Sequence, residues 1–225
     1  MNTPHGYFLT LEGIEGSGKT SHARRIEAFL VQEGCQVLLT QEPGGTRAGE
    51  QIRRILLNPA HGELDPFTEV FLFQAARREH VKQVIQPALH AGKIVICVRF
   101  TDSTIAYQGY GRGVENEFLV HLNRVASGGL NPDCTIFLDV DPEEGLRRSM
   151  AKTSADEQRF EQEFQIKSDL LKRIREGFLH LAREEDNRFV VISSMRPREI
   201  VFEEIKETLR RKILSTRKGK LGWKA

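Results

Sequence analysis

Residues Gly13-Ile14-Glu15-Gly16-Ser17-Gly18-Lys19-Thr20 spell G-x-x-x-x-G-K-T, a spacing suited to holding phosphate. Glycines let a tight loop wrap anionic oxygens with backbone amides. The positive end of a following helix adds to that attraction. Lys19 is spaced to neutralise the β- and γ-phosphates, and the Thr20 hydroxyl to ligate Mg²⁺. The flanks suit a working loop: the apolar run Tyr7–Leu11 leads in, and a helical pattern over Ser21–Gln32 leads out. The expectation is binding of a nucleoside triphosphate through all eight residues of the loop.

What receives the phosphate must be read elsewhere. No N-K-x-D element for guanine is present, and no apolar strand ends in Asp-Glu as in the large ATPases. Four other groups point to a small acceptor. Glu42-Pro43-Gly44-Gly45-Thr46 follows the second β-like run, and Pro-Gly-Gly lets backbone come close to a ligand. Phe73 and Arg77 are four apart on a long helical pattern, where a ring can stack a base and a guanidinium can bond its oxygen. Taken alone, that pair is met more often as a core ring beside a surface arginine; His80, three further on, reads as packing or surface. The stretch from Arg99 to Gly113 follows the third β-like run and packs Arg99, Ser103, Thr104, Tyr107 and Gln108 where ligand loops gather. Arg99 can clamp a phosphate between donor and acceptor. Finally, the polar segment Ala151–Gln158 has Arg147 and Arg148 before it and Lys152 within it. That is the composition of a closing loop that brings cations and excludes water.

The elements that must position these residues are short β-like runs at Tyr7–Leu11, Gln36–Thr40, Ile94–Val98, Cys134–Val140 and Phe189–Ser193. They lack alternation, as strands covered on both faces should. Helical patterns intervene at Ser21–Gln32, Gly49–Leu57, Pro66–Ala91, Glu115–Ala126, Pro142–Met150, Glu161–Glu184 and Pro197–Leu214. Gly34 and Gly92 stand where helix-ending glycines belong, and Asp65-Pro66 and Asp141-Pro142 combine an N-cap with a first-turn proline. Alternation of strand and helix predicts an α/β fold with a five-stranded parallel sheet and helices on both faces. The expected organisation is one domain over 1–214, a lid near 151–158, and a basic tail over 215–225.

With 225 residues, 39% hydrophobic content and a net charge of +2, the chain reads as an ordinary globular protein and not as a nucleic-acid binder. Cys35, Cys97 and Cys134 have no metal or disulfide spacing, which suggests a reducing compartment. Met1–Tyr7 has no apolar core of a signal peptide, and no run approaches membrane-spanning length. A cytoplasmic location is expected.

Taken in order, the phosphate loop, E-P-G-G-T, F-x-A-A-R-x-x-H, S-x-x-A-Y-Q-G-x-G-R-G and L-D-V-x-P-E-x-G-L-x-R resemble the bacterial thymidylate kinases over roughly Tyr7–Leu214. The resemblance implies transfer of the γ-phosphate of ATP to dTMP, giving dTDP in dTTP synthesis. It implies Lys19, Arg99 and Lys152 as catalytic groups, the loop residues Gly13–Thr20 and Arg147 on ATP, and Thr20 on Mg²⁺. It implies Glu15, Glu42, Pro43, Arg53, Phe73, Arg77, Arg99, Ser103, Thr104, Tyr107 and Gln108 on dTMP. Among these, Phe73 would stack on thymine and Arg77 bond its O4. Glu15 would accept from the 3′-hydroxyl, and Tyr107 would fill the space of a ribose 2′-hydroxyl. Arg53 and Arg99 would hold the phosphate. The loop lacks the basic residue of one subgroup, so the lid is expected to supply that cation, as in the enteric type. A homodimer is also implied, with the helix from Pro66 contributing.

Two departures stand out. Val98 occupies the position where the family usually has an Asp that supports Mg²⁺ or its water shell; Asp102, Glu42 or Glu12 would have to compensate, or turnover falls. The lid is also poor in arginine, and Lys152 is a point charge and not a bidentate fork. The alternatives are a kinase for another nucleoside monophosphate, or a nucleotide-binding protein with weakened catalysis.

Overall fold

The computed structural model describes residues 6–150 and 168–215. Its core is a five-stranded, all-parallel sheet in the order β2-β3-β1-β4-β5. The strands are β1 (Tyr7–Glu12), β2 (Val37–Gln41), β3 (Ile94–Val98), β4 (Cys134–Asp139) and β5 (Phe189–Ser193). β1 and β3 are the inner strands that run buried from end to end apart from Tyr7. Both faces are covered, which is why their sequences show no polar alternation.

The helices divide between the two faces. On one face, α1 (Lys19–Gln32) and α9 (Arg198–Leu209) pack Ala23, Ile26, Leu30, Val201 and Ile205 against Leu9, Leu11, Ile96, Val98 and Ile136. On the other, the α3 (Pro66–His80) helix and its extension contribute Val81 and Ile85 against Phe8, Val95 and Cys97. Also on that face, α8 (Ser168–Glu184) packs Leu170, Leu171, Ile174 and Phe178 onto Ala106, Tyr107 and Phe137. Between these lie α2 (Arg47–Leu57), α4 (Gln86–His90), α5 (Thr101–Thr104), α6 (Asn116–Ser127) and α7 (Pro142–Met150). Because β1 delivers the chain to α1 on one face and β3 delivers it to α5 on the other, their carboxyl ends diverge and open a crevice.

Most element expectations hold within a residue or two. Gly34 and Gly92 adopt φ 78° and 74° just past their helices. The Asp65 side chain accepts from Phe67 and Thr68 amides, and Asp141 from those of Glu143 and Glu144. The last helix passes into a π-helical segment, Arg210–Leu214, and the start of the pattern from Glu161 lies outside the described residues. Two further features differ. The long helix from Pro66 widens into a π-helical segment, Val81–Ile85, before α4. Pro87 is the second residue of α4; it lacks an amide and its ring crowds the preceding turn, so a wider turn accommodates it. The stretch after Arg99 is helical throughout, with α5 passing into a π-helical segment, Ile105–Gly111. Thr, Ser, Tyr and two glycines give that stretch no helical periodicity. It is held by tertiary packing on α8.

Candidate functional site

A cavity of about 520 Å³ opens at the carboxyl ends of β1 and β3. One end is the phosphate loop, where Gly16 takes φ 72° and its Cα faces the backbone of Gly145. A side chain there would meet the Gly145 carbonyl at 2.0 Å, so glycine is required by both φ and space. Gly18, at φ 91°, starts α1, and the first turn exposes Thr20 to the cavity. Lys19 lies within the loop, its Nζ donating to the carbonyls of Gly13 (2.9 Å) and Ile14 (2.8 Å). Gly13, Ile14 and Ser17 form the floor and do not line the cavity. Ser194, after β5, braces that floor by donating to the Ser17 carbonyl at 2.8 Å.

In the middle of the cavity stands Arg99, at φ 66° the one non-glycine residue with positive φ among the described residues. Its Nη2 donates to Glu15 Oε1 at 2.6 Å, its Nη1 reaches Ser103 Oγ at 3.3 Å, and its guanidinium lies 4.7 Å from the Tyr107 ring centre. Burial opposes the Arg99 charge, but Tyr107, Glu15 and Glu12 outweigh it and hold the guanidinium protonated. The Tyr107 hydroxyl sits 2.9 and 3.0 Å from the two Glu15 oxygens and donates to that carboxylate. Burial keeps this phenol protonated.

At the far end are Phe73, half-buried, and Arg77, only 2% exposed. The notion of Arg77 as a surface residue is therefore excluded. Its Nε donates to Glu42 Oε2 (2.8 Å), its Nη1 to Gln74, Thr104 and Asn123, and its Nη2 to the Phe100 carbonyl (3.0 Å). Of five guanidinium hydrogens, one on Nη2 is left for an acceptor in the cavity. His80 is buried and explains the end of the motif: its Nδ1 faces Glu42 Oε1 at 3.1 Å and its Nε2 faces Thr40 Oγ1 at 2.6 Å. Gly45 must lack a side chain because a Cβ would come within 2.5 Å of the His80 ring. Arg53, from α2, donates to the Pro43 carbonyl at 3.1 Å, and Pro43, Thr104 and Gln108 complete the wall.

Arg147, expected on ATP, is not part of this wall; its side chain is 71% exposed and pairs with Glu144. One residue on, about 100° around the helix, Arg148 does line the cavity, and it donates to the Ser194 carbonyl at 2.8 Å. Arg24 also lines it, one turn after Thr20 on α1. Its spacing of four from Thr20 was a usable signal, whereas the Phe100 contribution depends on the turn at Arg99. Lys152 and the lid segment 151–158 lie outside the described residues.

The three carboxylates considered as replacements for the missing Asp are already engaged. Glu42 is shared between Arg77 and His80. Asp102 receives both Nη atoms of Arg188, at 2.7 and 2.8 Å, and Thr135. Glu12 receives the Phe100 amide at 2.7 Å and Ser103 Oγ at 2.6 Å. Val98 itself is 7% exposed, packed on the α1 face of the sheet.

A family model described as thymidylate kinase matches residues 11–205. The chain belongs to the thymidylate kinase family. A thymidylate kinase of Pelotomaculum thermopropionicum is 47% identical over 200 residues, covering 89% of this chain and 91% of the relative. One from Desulfosudis oleivorans is 47% identical over 195 residues, covering 84% and 90%. Among solved structures, the thymidylate kinase of Ehrlichia chaffeensis superposes with a TM-score of 0.75 at 33% identity, covering 92% of this chain and all of that one. The fold is accordingly the α/β phosphate-loop kinase fold, and the readings as another kinase or a weakened binder are not favoured.

Proposed function

We infer that this chain transfers the γ-phosphate of ATP to dTMP, giving dTDP and ADP. The observation that carries this reading is one continuous cavity joining the phosphate loop to Phe73 and Arg77, with Arg99 between them. ATP lies along the loop, with Lys19 and the amides of α1 on its phosphates. dTMP lies at the other end: Phe73 stacks on thymine, and the remaining Nη2 hydrogen of Arg77 meets O4. Arg53 and Arg99 hold the acceptor phosphate in line with the donor. Glu15 takes the 3′-hydroxyl, and Tyr107, bonded to Glu15, fills the space beside C2′. Ser103, Thr104, Gln108, Glu42 and Pro43 shape the same half. Lys152 arrives with the lid over 151–158.

Mg²⁺ fits this site. Among the described residues no group of three or more His, Cys, Asp or Glu is arranged to hold a metal; Thr20, at the cavity, and the substrate phosphates are the ligands such a site offers. When bound, the ion neutralises charge on the β- and γ-phosphates. Val98→Asp is expected to raise turnover with little change in dTMP affinity; steady-state kinetics giving an unchanged or lower rate would count against a metal-supporting role for this position.

No described helix is long and apolar enough to cross a membrane, and we read the protein as cytoplasmic. Residues 1–214 are taken as one domain, which the family match supports, and 215–225 as a basic tail. The protein is read as a homodimer. Phe67 and Phe71, about half exposed, share a face of α3, with Ile55 on α2 and Val120 on α6 also exposed; these three helices pack side by side. Sedimentation equilibrium should give twice 25.6 kDa, and Phe71→Asp should shift the protein to monomer. A monomer at micromolar wild-type concentration would remove the dimer.

The activity is tested by ADP release from Mg-ATP with dTMP, dUMP, UMP, dCMP, AMP and GMP offered in parallel. Selective stimulation by dTMP is expected; equal stimulation by AMP or GMP would overturn the reading of Phe73 and Arg77.

A further inference from the structure

Glu12, the last residue of β1, has no exposed surface and does not line the cavity. Its two oxygens accept from the Phe100 amide (2.7 Å) and Ser103 Oγ (2.6 Å), the first of which directly follows the left-handed Arg99. An arginine in that conformation costs about 1–2 kcal/mol, so it persists only where its surroundings impose it. The Arg99 amide donates to the Leu11 carbonyl at 3.0 Å, which continues the β1–β3 ladder by one residue. Past that bond, the Glu12 carboxylate redirects the chain. It pins the amide that follows Arg99 and the half-buried Ser103 hydroxyl of α5 to the end of the central strand. Ser103 Oγ is in turn within 3.3 Å of Arg99 Nη1. One carboxylate thus controls both the backbone and a side-chain partner of the arginine in the middle of the cavity.

We propose that Glu12 is a positioning residue for phosphoryl transfer, holding the turn at Arg99 by gripping Phe100 N–H and Ser103 Oγ and so aiming the guanidinium across the cavity. The proposal rests on the dTMP kinase reading. It also predicts a protonic control. A carboxylate needs two donors, whereas a protonated Glu12 must donate through one oxygen. Ser103 is the partner that can reverse, accepting from Glu12 and turning its own hydrogen elsewhere. The groups facing Glu12 act in both directions. Burial, and then Asp102 on α5, raise its pKa to about 7; Ser103, Arg99 and the Phe100 amide lower it. Arg188, directly before β5, is paired with Asp102 and moderates that repulsion. Cys97 on β3 is buried, kept as the neutral thiol first by burial and then by Glu42 and Glu12. Thr135 on β4 bonds Thr10 and Asp102.

Glu12→Gln copies the shape and the hydrogen-bonding pattern of the protonated acid. The substrates ionise in the same pH range, but they do so equally with either enzyme, so the informative quantity is the ratio of wild-type to variant kcat across pH. It is expected to lie near one at about pH 5.5 and to rise through a midpoint near 7 to about 10- to 100-fold at alkaline pH, with KM for ATP unchanged. A ratio that is flat with pH would mean a merely structural role and would overturn the proposal. Ser103→Ala gives an independent reading: losing a donor to the carboxylate moves the acidic limb of kcat to higher pH, and a limb that stays in place would equally overturn it. Wild-type turnover with dTMP at about pH 8 is measured in the same series. A flat ratio beside an active wild type strikes Glu12 alone, whereas an inactive wild type strikes the kinase reading and this proposal together.

Discussion

Arg99→Ala is expected to lower kcat by roughly 10³-fold, in the range seen when a transfer-site arginine is removed. Arg99 is the cation between the two halves of the cavity, held by Glu15, Ser103 and the Tyr107 ring. Charge that builds on the transferring group would lose a fixed partner there. Backbone and side chain can be separated at this position. Arg99→Gly also removes the guanidinium, yet glycine adopts φ 66° without penalty. The glycine variant should therefore be as inactive as the alanine variant while melting at a higher temperature than it. Thermal denaturation beside single-turnover kinetics checks both halves. If either variant kept more than about a tenth of the wild-type rate, a factor worth about 1.4 kcal/mol, the assignment of Arg99 to transfer would fail.

Arg77→Ala is expected to weaken dTMP binding by at least about tenfold, the scale of one hydrogen bond to a charged donor, and to leave ATP binding nearly unchanged. Calorimetric titration with each nucleotide measures the two separately, and equal losses would end the base-reading role. A second consequence comes from the burial of Arg77 against Glu42. Removing the cation leaves the buried Glu42 with His80 as its remaining side-chain partner, at a cost of up to about 3–5 kcal/mol. The variant should melt at a markedly lower temperature. Arg77→Lys separates the effects, because it returns a charge to Glu42 without the planar fork that bonds Gln74, Thr104, Asn123 and Phe100 as well. It should recover stability more than dTMP affinity.

Much of the kinase was legible in the chain because its signals are local. A glycine loop needs a fixed spacing around Lys19 and Thr20, and N-caps such as Asp65 act on amides two and three residues away. Fully buried strands reveal themselves as unbroken apolar runs, as at Ile94–Val98. Other features were not legible. Arg147 and Arg148 are adjacent in sequence, and only the angle of α7 against β5 and Ser194 decides which one faces the cavity. The helical course of Thr101–Gly111 has no periodic pattern because its stability comes from α8, more than fifty residues away in the chain.

The sequence by itself determined the parallel α/β sheet and the phosphate loop, since each follows from periodicity or spacing within a few residues. The residues expected on dTMP were implied instead by the resemblance of the ordered motifs to the thymidylate kinases. The tertiary structure alone decided what those residues are tied to. Glu42, Arg77 and His80 form one buried cluster across 38 residues of separation, and Glu12 reaches 91 residues ahead to grip the Arg99 turn. Such contacts are set by how β1, β3 and their helices pack, which places side chains within hydrogen-bond distance irrespective of their separation along the chain.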